Sequence, residues 1–366
     1  QGQVYRETYL SNQEKLNEAC AHTTTLLNEV DVDRIEYFEQ QRQETRNLVE
    51  QIGAVTSQGH SHPLFSDPDF VASLATTLHN ATDLGMPQLA LTLTDSVTKV
   101  GCTLGPDHPR ILASRNNLAG AYQDAGKLDE AIALYEQNLE DHTRILGPNH
   151  PDTLTSRNNL ANAYQAAGRL DEAITLHKQN LTDRTRILGP NHPDTLTSRL
   201  NLAGAYQAAG RLDEAIALYE QNLQDRTRIL GPNHPDTLTS RNNLAGAYQA
   251  AGRLNEAIEL HEQNLKDSTR ILGPNHPGTL PSRNNLANAY RDTGRLDEAI
   301  ALYERNFEDC IHILGPNHPD TVTSRNNLAE AYRAAGRIED AKKLFETPSG
   351  SEDEQDGTEE ELDQEA

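Results

Sequence analysis

An all-α solenoid of stacked antiparallel helix pairs is the fold this sequence predicts, and three observations predict it. A hexapeptide recurs six times: Leu104-Gly-Pro-Asp-His-Pro109, then Leu-Gly-Pro-Asn-His-Pro from Leu146, Leu188, Leu230, Leu272 and Leu314, each 42 residues after the last. A fixed period of this length marks a unit that buries its apolar face only against copies of itself. Between hexapeptides, apolar residues follow two helical stripes separated by a glycine. An apolar fraction of 36% with no Trp is too lean for one large core in 366 residues, and suits thin two-helix layers instead.

The elements follow in chain order. Residues 1–67 read as an N-terminal helical cap, with Leu16, Cys20, Leu27, Ile35, Phe38, Leu48 and Ile52 at helical spacing. His60, His62 and Pro63 fall in a loop, with no partner for metal binding. Residues 68–109 read as a degenerate repeat, because Gly85 and Ala90 are spaced as Gly126 and Ala131 are, with Leu91 and Leu93 after them. Residues 110–345 read as six repeats of period 42, the last truncated near Phe345.

The block from Asp152 to Leu188 is typical. Leu154, Leu160, Ala161 and Tyr164 mark one face of a first helix, Gly168 breaks it, and Leu170, Ala173, Ile174, Leu176, Leu181 and Ile187 mark a second. Ala161 and Ala173 let the two helices approach closely. The hexapeptide is helix punctuation: its Gly takes the left-handed conformation past a helix end, its first Pro blocks continuation, and Pro151-Asp152 starts the next helix. Residues 346–366 carry ten acidic and no basic residues, and are expected to form a disordered, solvated acidic tail.

Charge and composition exclude several functions. The net charge of −23 argues against a nucleic-acid partner, which needs a basic surface, and against anionic membranes. No stretch approaches the roughly 20 apolar residues of a membrane span, and no secretory signal opens the chain. It starts at Gln1, as a piece of a longer protein would. Three scattered cysteines, Cys20, Cys102 and Cys310, suit a reduced, cytoplasmic setting. The linker His occurs once per repeat with no second ligand nearby, so a turn role outweighs a metal site. Pairs such as Asp171-Glu172 recur at the start of second helices, where they favour the helix dipole. A catalytic carboxylate pair would not be copied in repeat after repeat. No phosphate loop, Cys-x-x-Cys or His-Glu-x-x-His is present; no catalytic residue, metal or cofactor is expected, and the chain reads as a non-enzyme.

The Leu160-Ala161, Tyr164, Gly168 and Ala173 pattern resembles the tetratricopeptide motif, and the 42-residue period with its Leu-Gly-Pro-Asn-His-Pro linker resembles the kinesin-light-chain-like variant. That variant is also found in bacterial signalling proteins of the multidomain ATPase class. The resemblance covers about residues 110–345. It departs at Arg157, where the motif is usually apolar, and at Asn180, where it is usually small. It implies a right-handed superhelical solenoid whose first helices line a concave surface.

Helical geometry puts Thr155, Asn158, Asn159, Asn162, Gln165 and Ala166 opposite the packing face of their helix. Elsewhere the amides are Asn116 and Asn117, Asn201 (beside Leu200), Asn242 and Asn243, Asn284 and Asn285 with Asn288, and Asn326 and Asn327. Amides carry donors and an acceptor, as an extended peptide backbone requires. The resemblance to kinesin-light-chain-like and chaperone-binding arrays implies that such groove Asn residues contact peptides. The alternative is that they bond to one another across repeats. Gly120, Gly204 and Gly246, where Asn162 and Asn288 stand elsewhere, leave room for a ligand. Gln123, Gln165, Gln207 and Gln249 give way to Arg291 and Arg333, which predicts a more basic C-terminal groove beside the acidic tail.

Two charge ladders read as structural. Arg115, Arg157, Arg199, Arg241, Arg283 and Arg325 lie on the packing arc, and Asp141, Asp183, Asp225, Asp267 and Asp309 recur near the end of each second helix. Arg and Asp are expected to pair, with the Arg stem on apolar surface. The reading is a protein-interaction scaffold binding a peptide or protein segment in an amide-lined groove, as the sensor or adaptor part of a larger signalling protein. Two alternatives stand beside it: an architectural module for self-association, and the non-catalytic region of an enzyme or ATPase whose catalytic domain lies outside this chain.

Overall fold

A computed structural model describes residues 35–56, 74, 76–81, 84, 86–94, 96–97, 107–316 and 318–345. Most of the expected cap, Cys20, Cys102, the two loop histidines and the acidic tail lie outside the described residues. Every regular element among the described residues is helical. Helix α1 is Ile35–Thr56 and α2 is Pro87–Leu91. Six pairs follow: α3 (Pro109–Asp124) and α4 (Leu128–Leu146), α5 (Pro151–Ala166) and α6 (Leu170–Leu188), α7 (Pro193–Ala208) and α8 (Leu212–Leu230), α9 (Pro235–Ala250) and α10 (Leu254–Leu272), α11 (Leu280–Asp292) and α12 (Leu296–Leu314), α13 (Pro319–Ala334) and α14 (Ile338–Lys343). Each helix packs on the next in the chain, so the core is a string of layers rather than one centre.

The punctuation works through backbone hydrogen bonding. Gly168 takes φ +74, its N–H bonds the Gln165 carbonyl at 3.0 Å, and Arg169 N–H bonds Tyr164 at 2.8 Å. These two bonds satisfy carbonyls that the end of α5 would leave open, in a conformation that glycine adopts without strain. The linker His has a role that its spacing did not announce: it is the N-cap of the next first helix. Nδ1 of His150 accepts the Asp152 N–H at 3.2 Å, and His108, His192, His234, His276 and His318 do the same two residues on.

Within a layer, Leu154, Leu160, Ala161, Tyr164, Ala173 and Ile174 are buried as the pattern predicts, and Ala163 is buried beside them. The second helix differs from expectation further along. Leu181 is half-buried and Ile187 is 39% exposed, because the last turn runs past the neighbouring helices. The buried stripe there is polar instead: His177, Asn180 and Arg184. At the N-terminal end, Leu48, Val49 and Ile52 of α1 pack with Leu74, Leu78, Ala90 and Leu93 against Ile111 and Leu118 of α3. That cluster closes the first repeat with an apolar layer.

Candidate functional site

Arginine–aspartate pairs fix where each first helix sits. Arg115, Arg157, Arg199, Arg241 and Arg283 bond Asp141, Asp183, Asp225, Asp267 and Asp309 of the same repeat at 2.6–2.8 Å. Burial opposes ionisation of Asp141, Asp225 and Asp267, yet the side-chain hydrogen bonds they accept hold each below the usual carboxylate range. Their second oxygens take another arginine three residues on, such as Arg186, which also reaches back to Asn149 in the preceding linker at 2.7 Å. Arg325 instead lies over the Phe345 ring, 5.0 Å from its centroid.

With the backbone so held, the amides of successive first helices meet. Asn159 donates to Asn116, Asn201 to Asn158, Asn285 to Asn242 and Asn327 to Asn284, at 2.7–2.9 Å. The alternative of a mutually bonded row therefore accounts for eight of these amides. The row breaks once. The rung from Asn243 would end at residue 200, which is Leu, and the half-buried Asn243 side chain has no partner. Gln165 and Gln207 are half-buried and Asn162 is exposed on the same side of their helices.

A second row lies beneath the amides and was missed in the sequence: Tyr135, His177, Tyr219, His261 and Tyr303, all buried. The three tyrosines each meet the residue fifteen positions earlier. Tyr135 Oη is 3.6 Å from where a Cβ on Gly120 would be, and Tyr219 Oη 3.5 Å from that of Gly204. Tyr303 donates to Asn288. Gly246 stands over His261, so both partners are small, and nothing approaches within 4 Å of a Cβ built on Gly246. The result is a cavity of about 310 Å³ lined by Asn242, Asn243, Gly246, Asn285 and Asn288, with Tyr219 and His261 as floor and Gln207, Gln249 and Arg291 around it. Burial pushes the imidazoles of His177 and His261 down to about 4, so both are neutral, and Nδ1 of His261 has no partner. The same burial pushes the Tyr219 phenol up to about 12. A two-fold alternation of Tyr and His at one register was the available signal for this row; it reads as ordinary core until set against Gly120, Asn162, Gly204, Gly246 and Asn288, fifteen positions earlier.

The C-terminal end is less basic than the change from Gln to Arg predicts. Arg291 lies 3.5 Å from Asp292 and 3.6 Å from Glu330, and Gln249 donates to Asp292. Glu330 stands where the glutamine-bearing repeats have Gly120, Asn162, Gly204 and Gly246, whereas the Asp292 register already carries Asp124 beside Gln123. Arg333 is exposed and borders a separate cavity of about 470 Å³ with Ile338, Ala341, Lys342 and Phe345 on the last helix.

Sequence reasoning also missed the clamps at the turns. Arg169, Arg211, Arg253, Arg295 and Arg337 stack 4.0–4.4 Å from the ring centroids of Tyr164, Tyr206, Tyr248, Tyr290 and Tyr332. The first four also bond Glu172, Glu214, Glu256 and Glu298 at the start of the second helix; Glu172, Glu214 and Glu298 are the second acids of the pairs assigned to the helix dipole, while Glu256 follows Asn255.

Among the described residues no group of three His, Cys, Asp or Glu side chains is placed to hold a metal ion. No described helix is long and apolar enough to cross a membrane. What the surface offers is hydrogen bonding: amide groups in register, an unpaired Asn243, and a recess beside it.

The tetratricopeptide repeat family model matches at 110–182, 156–221, 196–265, 240–305 and 282–347. The crystal structure of nearly identical repeats of a kinesin light chain-like protein of Podosopora anserina is 39% identical, covering 56% of this chain and 97% of that one, with a TM-score of 0.48. BtubC (BKLC) from P. vanneervenii is 24% identical over 60% of this chain and 88% of its own, with a TM-score of 0.50. A Rap protein complexed with competence and sporulation factor is 12% identical over 91% of this chain and 96% of its own, with a TM-score of 0.52. No curated protein matches the chain.

Proposed function

On the premise that the chain belongs to the tetratricopeptide repeat family and is a protein-interaction scaffold, we propose that it binds an extended peptide segment along the first-helix amides, anchored at the break in the amide row. The observation that carries this reading is the coincidence of Asn243 and the cavity. Where the row is continuous, each rung spends one donor and one acceptor on its neighbour. At Asn243 both remain available, beside a recess with a bare glycine backbone and a neutral imidazole. A peptide's own N–H and C=O match that set, and Gly246 lets its backbone approach. The Rap protein of like fold is complexed with a factor, which accords with a segment bound by such an array. A sensor or adaptor place in a larger signalling protein fits the same surface.

The test is capture of partners by the full chain and by three variants. Asn243→Ala should weaken capture about tenfold, the scale of one or two lost hydrogen bonds. Gly246→Leu, which fills the recess from a half-buried position, should weaken it further. Asn159→Ala breaks a bonded rung and should cost less affinity. Unchanged capture by the first two, in folded protein, sinks the reading.

A second reading, self-association, draws on α14. Ile338 and Phe345 are 48% and 47% exposed on the last described layer, around the cavity bordered by Arg333. Light scattering of the native chain and of Ile338→Glu separates this from peptide binding: a particle that dissociates in the variant supports it.

A further inference from the structure

The layers carry one more row, at the position after the paired Asp of each second helix: His142, Arg184, Arg226, Ser268 and Cys310. Each side chain points across to the next first helix. Arg184 and Arg226 show what the slot holds when filled. Their guanidinium groups are buried and donate to Ser198 Oγ (3.1 Å) and the Asp194 carbonyl (3.2 Å), and to Ser240 Oγ (3.2 Å) and the Asp236 carbonyl (2.9 Å). Arg226 also reaches Thr197 Oγ1 at 3.5 Å, near the outer end of the slot. None of these partners is a carboxylate. The slot accepts a buried cation by hydrogen bonds to neutral oxygens, with the Asp194 or Asp236 carboxylate favouring its charge from nearby.

At Ser268 the slot is shut. Ser268 lies 3.3 Å from Ser282, and the short turn Pro277–Thr279 brings Gly278 so near Leu272 that a Cβ there would sit 3.0 Å from Leu272 Cδ1. At Cys310 it is open. A cavity of about 210 Å³ is lined by Cys310, Asp320, Ser324 and Pro281, the counterparts of Arg226, Asp236, Ser240 and Thr197, together with Asn306 and Thr323. Asn306 is 3% exposed and its Oδ1 has no partner. Pro281 and Thr323 are exposed and flank the outer end, next to Asn284 and Asn285 of the amide row.

We infer that the Cys310 slot is a receptor for the guanidinium of an arginine side chain supplied by a partner. The donor geometry is the one the protein already uses at Arg184 and Arg226, entered from the outside rather than from the second helix. The Ser324 hydroxyl and the Asp320 carbonyl are the acceptors, as Ser240 and Asp236 are for Arg226, and a guanidinium has five N–H groups to satisfy them. The Asp320 carboxylate at the rim and the overall charge of −23 favour a cationic guest. Only the source of the arginine, a peptide lying on the adjacent amides, rests on the proposed function. The slot itself is argued from the filled layers.

The probe is N-acetyl-arginine amide, with the uncharged N-acetyl-citrulline amide as its isostere, titrated calorimetrically into the full chain. Native protein should bind the arginine probe saturably and at least about tenfold tighter than citrulline. Cys310→Ala keeps the slot empty and should bind as native does. Cys310→Arg fills the slot with the chain's own guanidinium, should melt no lower than native protein, and should lose binding. Thr323→Trp, at the exposed rim, should lose binding without touching the core. Equal binding of the two probes, no saturable binding to native protein, or undiminished binding to the two blocking variants overturns the inference. Failure here leaves the Asn243 and Gly246 tests of the groove untouched.

Discussion

The repeats 193–234 and 235–276 differ at six of 42 positions, yet the recess in the groove is built mainly on the second, with Asn242, Asn243, Gly246, Gln249 and His261 from it and Gln207 and Tyr219 from the first. They share the Arg–Asp pair, the histidine cap, the turn glycine and the Arg–Tyr clamp. They differ where Leu200, Tyr219 and Arg226 become Asn242, His261 and Ser268, and where Asp213, Ala217 and Gln224 become Asn255, Glu259 and Lys266. The second group is exposed and leaves the layers alike. The first group lies between helices: a tyrosine that met Gly204 becomes an imidazole too short to meet Gly246, and a leucine leaves Asn243 unpaired. In a solenoid, local chemistry builds the layer, while the fit between layers decides what the surface can hold.

The shared elements should break alike, and with the largest effect. Arg199→Ala and Arg241→Ala each take the buried partner from a mostly buried aspartate, Asp225 or Asp267, which keeps only a glutamine donor and a 3.3 Å contact to the exposed Arg228 or Arg270, so each should lose about 3 kcal/mol in chemical denaturation. A twofold difference between them would show that the layers are not equivalent scaffolds.

His261 is the next test. The unfolded chain takes up its proton near 6.5, the buried imidazole only near 4. The unfolded state therefore binds more protons between those values, and stability is full above pH 6.5 and falls as pH drops toward 4, by about 3 kcal/mol for this residue. His261→Tyr copies the Gly204–Tyr219 layer, so it should remove that loss and fill the recess. Acid unfolding followed by circular dichroism, with His177→Tyr in parallel, reads out both histidines. An unchanged acid profile in the double variant would refute neutral burial.

Leu200→Asn sharpens the comparison from the other side. It supplies the missing rung at the cost of an apolar contact, so stability should move by less than about 1 kcal/mol. Partner capture should fall, because Asn243 becomes occupied. The smallest effect concerns the clamps. Tyr248 donates to Glu220 at 2.7 Å, whereas Tyr206 faces Lys178, whose Nζ lies 5.4 Å from its ring centroid. Tyr248→Phe should cost about 0.5 kcal/mol and Tyr206→Phe nothing measurable in the same denaturant titration.

Period, punctuation and helix pairing were legible in the chain because they depend on neighbours a few residues apart: Gly168 ends a helix wherever it stands, and Leu160 and Tyr164 share a face by helical pitch. The Arg157–Asp183 pair was legible too, since the arginine recurs on the packing arc and the aspartate at one register near the end of each second helix. The fate of the amides was not. Whether Asn159 meets Asn116 depends on a spacing across 43 residues that the arginine–aspartate pairs set, and one leucine at 200 matters only through Asn243. Packing likewise decided that Ile187 is exposed while Asn180 is buried, that Arg291 is met by Glu330, and that Gly246 over His261 leaves a space where Gly204 over Tyr219 does not. A residue pattern records which side chains face inward; how much room remains between two of them follows from the distance between their helices.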